Sequence, residues 1–343
     1  CIPIVAEQAS HLTVFQRTPA FSVPSRNNLI DQEWLSRFKL TYNEFRAMNS
    51  AMLGGFSATF PPHDESALAV SQAERMRIYE KRWDEIGGLL FMQSFNDLLT
   101  NEEANKTAAD FVRDKIDELV VSPRIAKMLK SKGPIGCKRL CTDKNYYATY
   151  NRANVSLIDI SGSDSIECYD EGIKFGDNTY PLDIIIFATG FDAITGSILK
   201  IEIFGKGGIS LAEKWREGPA AILGACTASF PNMFMVCGPG NPSVLTNMVA
   251  TIEHHSDWIA DCIGFARSNN YSLIEATESG EREWMNEVNI RVAETLFHSC
   301  DSWYLGTNIP GKPKKFIPYL GFSDYAARCE EISGNGYPGL RFN

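Results

Sequence analysis

The sequence predicts a mixed α/β fold built on dinucleotide-binding sheets, and three observations carry that prediction. The first is the run Asp183-Ile184-Ile185-Ile186-Phe187-Ala188-Thr189-Gly190, whose apolar, largely β-branched stretch has the pattern of a strand buried on both faces. Small residues at its end let the backbone pass close to a flat or charged neighbour. The second is a helical stretch over residues 3–9, followed by a short strand over 12–16 and then Arg17-Thr18-Pro19. The third is a strand pattern over 233–237 that runs into Gly238-Pro239-Gly240-Asn241-Pro242 and then a helix over 247–266.

Helix, short strand and a basic residue at the strand's end form the second half of a βαβ nucleotide unit. An acidic residue at that place binds a ribose 2′-hydroxyl, whereas an arginine accommodates a 2′-phosphate. Arg17 therefore argues for NADPH over NADH, the alternative being an ordinary surface arginine. The Gly-rich turn of such a unit is expected roughly 20 residues before Arg17, which places it ahead of Cys1. No GxGxxG occurs in the chain; Gly205-Lys206-Gly207-Gly208 has the wrong spacing.

Between residues 29 and 132 the pattern is helical and strongly charged. Phe111, Val112, Ile116, Leu119 and Val120 recur at helical spacing and predict one apolar face. Trp34, Phe38, Tyr42 and Phe45 form an earlier aromatic stripe, also expected in a core. Short strands are predicted at 155–160, 165–169, 173–175 and 182–187, with turns at Gly172 and Gly176-Asp177-Asn178. A last helix is predicted over 281–297.

At 343 residues the chain has room for one large or two medium domains, with 44% hydrophobic residues to fill them. Its net charge of −9, from 42 acidic and 33 basic groups, disfavours nucleic acid as a partner. No apolar run has the length of a membrane-spanning helix, and a cytoplasmic protein is expected. The nine cysteines show no metal-ligand spacing, so no metal is predicted. Cys137 and Cys141 flank Lys138 and Arg139, whose charge would lower a thiol pKa, but reduced, partly buried thiols are the simpler expectation. His254-His255 lacks a spaced carboxylate and is expected to be solvated or at a core edge.

Five blocks carry a family resemblance: VFQRTPAFSVP (14–24), GCKRLCTDKNYYATYNRANV (136–155), FATGFDAITG (187–196), FPNMFMVCGPG (230–240) and SWYLGTNIPGKP (302–313). In this order they resemble Baeyer–Villiger monooxygenases of the cyclohexanone and phenylacetone monooxygenase group. The resemblance implies two Rossmann-like domains, both incomplete at the N-terminal side: the rest of an NADPH domain over 1–190, with a helical insertion at about 29–132, and the C-terminal part of an FAD domain over 191–343. It implies a C-terminal fragment of a flavin-dependent monooxygenase that uses NADPH, FAD and O2 to convert a ketone into an ester or lactone.

Site residues follow from the same likeness. Arg139 matches the catalytic arginine; a guanidinium there stabilises negative charge on oxygen with directed donors. Lys138, Arg17 and Thr18 match the group that holds the NADPH 2′-phosphate, and Trp303 a tryptophan beside the nicotinamide. The turn before residue 247 would aim a helix N-terminus at the flavin, with Met248 against the cofactor. Ser243, Val244, Leu245 and Tyr319 are the expected substrate pocket, mostly apolar, which points to a hydrophobic ketone. Asn241 stands where relatives often carry Ser. Two alternatives stay open: an N-hydroxylating or sulfoxidising flavin monooxygenase, and a truncated, inactive paralogue that only binds.

Overall fold

The structure, a computed structural model, describes residues 1–162 and 166–343. Helix α1 (Ile2–Gln8) leads into strand β1 (Leu12–Gln16), as the pattern predicts. Asn154 fixes the junction: its Nδ2 donates to the carbonyls of Ala6 and Ala9 at 2.9 and 3.0 Å, satisfying helix-end acceptors. Its own carbonyl receives the Leu12 amide at 2.8 Å. That places β1 beside β4 (Val155–Asp159), in parallel register from Leu12↔Val155 to Gln16↔Asp159.

After β1 the chain turns through Arg17 and Thr18 into β2 (Ser22–Pro24), which pairs in parallel with β3 (Cys141–Asp143), the strand that follows Lys138 and Arg139. Between them lies the helical region. A hairpin of α2 (Gln32–Leu40) and α3 (Tyr42–Ser50) is followed by α4 (Gln72–Lys81), α5 (Glu102–Leu119) and α6 (Pro123–Leu129). Asn101 caps α5, accepting from the amides of Glu103 and Ala104, and two glutamates fill the first turn. Ala104, Ala108, Phe111, Val112 and Ile116 bury one face of α5; Val120 is also buried, but Leu119 is 40% exposed.

Short helix α7 (Tyr146–Thr149) precedes β4, and an antiparallel meander of β5 (Ile166–Tyr169), β6 (Gly172–Phe175) and β7 (Asn178–Pro181) follows. Its predicted first residue, Ser165, lies outside the described residues. The rest of the chain contains α8 (Leu211–Lys214), α9 (Met248–Ser268), β8 (Ile274–Ala276), α10 (Glu278–Ala293), α11 (Phe322–Gly334) and β9 (Leu340–Phe342). Along α9, Thr251, His255, Trp258, Ile259, Cys262 and Ala266 face a core shared with α10 and α11.

Several expectations are corrected. Residues 182–187 form no strand, and Ile184, Ile186 and Phe187 are 78, 60 and 72% exposed. A ladder needs a partner, and no described strand lies beside this run. Residues 233–237 are likewise irregular, shaped by turns at Cys237 and Gly240 rather than by pairing. The last predicted helix starts earlier and ends at Ala293, with a separate 3₁₀ turn over Leu296–Ser299. The aromatic stripe is not core: α2 and α3 bury no residue, and Phe38 instead packs against Trp34 and Phe45 at 5.0 and 4.9 Å on the surface.

One buried amide joins the helical region to the segment that carries Arg139. Asn105 Nδ2 donates to the carbonyls of Leu98 and Ile135 at 2.7 and 2.8 Å, and its Oδ1 accepts from the Ile135 amide at 2.9 Å. Asn105→Ala strands three buried backbone groups and is expected to destabilise the protein by about 3 kcal/mol. The check is the urea midpoint, and an unchanged midpoint refutes the anchoring role.

Candidate functional site

The carboxyl ends of β1 and β4 open on a cleft of about 860 Å³. Ligands of open α/β sheets bind at this end of the strands. One wall is the Gln16–Phe21 turn, and Gln16 ties it to the end of α6 by donating to the Met128 carbonyl at 2.8 Å. Other walls come from Lys127–Pro134, from Gly136–Arg139 and from Cys300–Trp303. Because β2 and β3 are parallel, the two loops that enter them come in from the same side.

The lining is cationic in an acidic protein. Arg17, Lys127, Lys130, Lys132, Lys138 and Arg139 face the cleft, against the carboxylates of Asp159 and Asp301. Lys130 is ion-paired with Asp117. Such a concentration of positive charge between low-dielectric walls favours a phosphorylated ligand. Sequence reading missed Lys127, Lys130 and Lys132, although the alternating Lys-Met-Leu-Lys-Ser-Lys segment carries their signal.

The cleft brings together five of the expected site residues: Arg17, Thr18, Lys138, Arg139 and Trp303. They come from segments separated by up to some 290 positions of sequence. Arg139 reaches further, its Nη1 donating to the Val244 carbonyl, so it joins the cleft to the turn after Gly240. Its charge also acts on the phenol of Tyr304, a residue the sequence reading passed over. Burial pushes that phenol up to about 12, with Arg139 pulling the other way.

Ser243, Leu245 and Met248 lie on the turn that Arg139 touches but outside the cleft's lining, and Ser243 Oγ donates to Met248 Sδ at 3.7 Å. Tyr319 is a core residue rather than a pocket wall. It is fully buried, stacks on Trp284 at 5.0 Å and donates its phenol to Glu287 at 2.9 Å. The expected link between glycine turn and helix dipole is also revised. A 3₁₀ turn, Ser243–Leu245, intervenes, and Asn247 caps α9 with its own side chain, accepting from the amides of Val249 and Ala250. Those N–H groups are already satisfied.

What shapes the 237–246 turn is a buried polar knot. Asn241 Oδ1 accepts from the Ser243 amide at 2.9 Å, while Nδ2 reaches Tyr325 Oη at 3.0 Å and His255 Nδ1 at 3.2 Å. His255 Nδ1 accepts from the Cys237 amide at 2.9 Å, and Tyr325 donates to the Leu223 carbonyl at 2.7 Å. Gly240 sits at φ +87°, where a Cβ would meet Trp284 Nε1 at 2.6 Å, so only glycine fits. His255 is thus a fully buried core residue, not one at a core edge, and burial followed by the neighbouring His254 depresses its pKa to about 4.

The cysteines also depart from expectation. Cys137 is disulfide-bonded to Cys300. The Cys141 thiol is raised, not lowered, because burial and Asp143 outweigh the pull of Arg139. Among the described residues no group of His, Cys, Asp and Glu is arranged to hold a metal ion, and no helix is long and apolar enough to cross a membrane.

Strand, turn and basic cleft define an α/β protein of Rossmann type, and comparison with known proteins shows what it is similar to. No family model matches the chain. It is 38% identical over 345 residues to cyclohexanone 1,2-monooxygenase of an Acinetobacter species, covering 99% of this chain and 62% of that protein. It is 34% identical over 337 residues to a phenazine N-monooxygenase of Lysobacter antibioticus, covering 97% of this chain and 61% of that protein. The crystal structure of cyclohexanone monooxygenase from Rhodococcus sp. Phi1 bound to NADP+ superposes with a TM-score of 0.95 at 36% identity, over 100% of this chain and 64% of that one. Over nearly its whole length the chain is similar to Baeyer–Villiger monooxygenases. It spans a little under two thirds of the length of these relatives.

His255 yields a pH prediction. Above pH 6.5 both folded and unfolded chains hold it neutral, so it adds no slope. Between 6.5 and about 4 only the unfolded chain takes up the proton, so stability falls as pH falls. The loss approaches about 3 kcal/mol at and below pH 4. Urea midpoints measured from pH 7 to 4 should fall less steeply in His255→Asn than in the parent; equal slopes refute the assignment.

Proposed function

We propose that this chain is part of an NADPH- and FAD-dependent Baeyer–Villiger monooxygenase, which converts a ketone, O2, NADPH and a proton into an ester or lactone, NADP+ and water. The observation that carries the reading is the convergence of Arg17, Thr18, Lys138, Arg139 and Trp303 on one basic cleft. We divide the chain into an NADPH-binding part, 1–190, and a flavin-binding part, 191–343. A cytoplasmic setting suits its seven unpaired thiols.

The cleft's chemistry fits NADPH. Arg17 and Lys138 take the 2′-phosphate, Thr18 offers it a hydroxyl, and Trp303 provides a flat wall for the nicotinamide. Bound FAD supplies electron storage and oxygen activation. The Gly238–Met248 turn is the surface we assign to it, because the Asn241 knot holds that turn rigid and Arg139 bonds to it. Arg139 places its guanidinium donors beside the turn, where they would stabilise negative charge developing on a substrate oxygen. A preorganised donor of this type lowers the barrier by about 3 kcal/mol. Val244 and Leu245 give the substrate side of the turn its apolar character, which favours a hydrophobic ketone.

A heteroatom substrate is the second reading, supported by the 34% identity to the phenazine N-monooxygenase. Assaying the protein that carries this chain with a cyclic ketone and with an aromatic N-heterocycle separates the two.

Arg17→Ala and Lys138→Ala should each weaken NADP+ about ten- to a hundredfold, the worth of a charged hydrogen bond, while leaving NAD+ affinity unchanged. Equal losses for both nucleotides would move the 2′-phosphate elsewhere. Arg139→Ala should bind NADP+ and form no ester; retained ester formation removes its catalytic role.

A further inference from the structure

The Cys137–Cys300 disulfide joins residues 163 positions apart, and both line the basic cleft. Each cysteine immediately precedes a functional segment of a different wall: Lys138-Arg139 on one side, Asp301-Ser302-Trp303 on the other. The other seven cysteines are unpaired, and Cys226, Cys262 and Cys329 among them are buried. So many free thiols suit a reducing compartment. A single disulfide there is characteristically transient or redox-sensing rather than structural.

We propose that Cys137–Cys300 is a reversible dithiol–disulfide site that locks two walls of the cleft together and that a dithiol reductant opens. Its consequence for nucleotide binding rests on the NADPH reading above; the lock itself does not. The two walls are anchored on adjoining residues, Leu98 and Leu99. Ile135 is pinned to α5 through Asn105, whereas the 300–303 segment follows a turn fixed by the Leu296 amide on the Leu99 carbonyl at 2.8 Å. The disulfide ties them directly. Ser302 Oγ is buried without a hydrogen-bond partner among the described residues, while its carbonyl accepts from Thr307 Oγ1 at 2.9 Å.

The exchange is directional. Cys300 is partly exposed and Cys137 is 2% exposed, so an external thiolate reaches the Cys300 sulfur. Its attack forms a mixed disulfide at Cys300, breaks the Cys137–Cys300 bond and expels Cys137 as a thiolate. Adjacent Lys138 favours that leaving group. The reductant's second thiol then displaces Cys300 and closes its own disulfide. Its two protons end on Cys137 and Cys300, and two electrons have passed to the protein.

The test equilibrates the protein that carries this chain across ratios of reduced to oxidised dithiothreitol. Free thiols are then trapped with N-ethylmaleimide and mapped by mass spectrometry, and amide hydrogen exchange is measured at each ratio. Cys137 and Cys300 should switch together in one reversible transition while Cys226, Cys262 and Cys329 stay unchanged. Exchange in 134–141 and 300–305 should rise about tenfold on reduction. Cys300→Ser should show the reduced pattern at every ratio; should that variant not fold, the parent's own titration decides. Independent modification of the two cysteines, or exchange that ignores the ratio, overturns the lock. NADP+ titration of both forms is expected to differ by about fivefold or more. If NADP+ binds neither form while the amides still respond, the lock stands and the NADPH reading falls. If it binds both forms equally, the link from lock to nucleotide is refuted.

Discussion

Parallel pairing between strands distant in sequence is the constraint on which the cleft depends. β1 pairs with β4 and β2 with β3, in each case across more than a hundred residues. Parallel neighbours cannot be joined by a tight turn, so the connection must leave the sheet and return. Here that excursion is the helical region from α2 to α6. Its return delivers Lys138 and Arg139 next to the loop bearing Arg17 and Thr18. Neither pair of strands is long, and the geometry survives because Asn154 and Asn105 pin the chain where the helices meet it. Both use side-chain amides to satisfy backbone groups that a helix or strand leaves over.

Charge is distributed unevenly for a physical reason. The protein as a whole is acidic, and its exposed helices carry paired charges such as Lys106–Asp110 and Arg77–Glu74, which contribute little to stability. The cleft instead gathers cations from three segments with few carboxylates to offset them. Mutual repulsion of such a set is tolerated where a polyanionic ligand neutralises it.

The turn from Cys237 to Thr246 is organised by different means. Cys237 and Ser243 both adopt left-handed backbone conformations, which cost energy for residues with a side chain. The Asn241–His255–Tyr325 knot, buried and nearly fully hydrogen-bonded, holds the turn against that cost. His255 serves there only as a neutral acceptor, consistent with its depressed pKa. Through the bond from Arg139 to Val244, this rigid turn and the basic cleft act on a common region.

The sequence by itself determined the helices whose apolar faces repeat, such as α5 and α9, and the local unit of α1, β1 and Arg17, because those patterns are set by near neighbours. It also supplied the motif blocks that name Arg17, Lys138, Arg139 and Trp303. Only the tertiary structure decided which patterns find partners. Ile184 to Phe187 has a strand's composition but no neighbouring strand, Trp34 to Phe45 has a core's composition but stays on the surface, and Tyr319 packs on Trp284 instead of lining a pocket. The lysines of 127–132, the Cys137–Cys300 bond and the Asn241 knot were beyond reach for the same reason. Each depends on distance between residues far apart along the chain, and local periodicity carries no information about that distance.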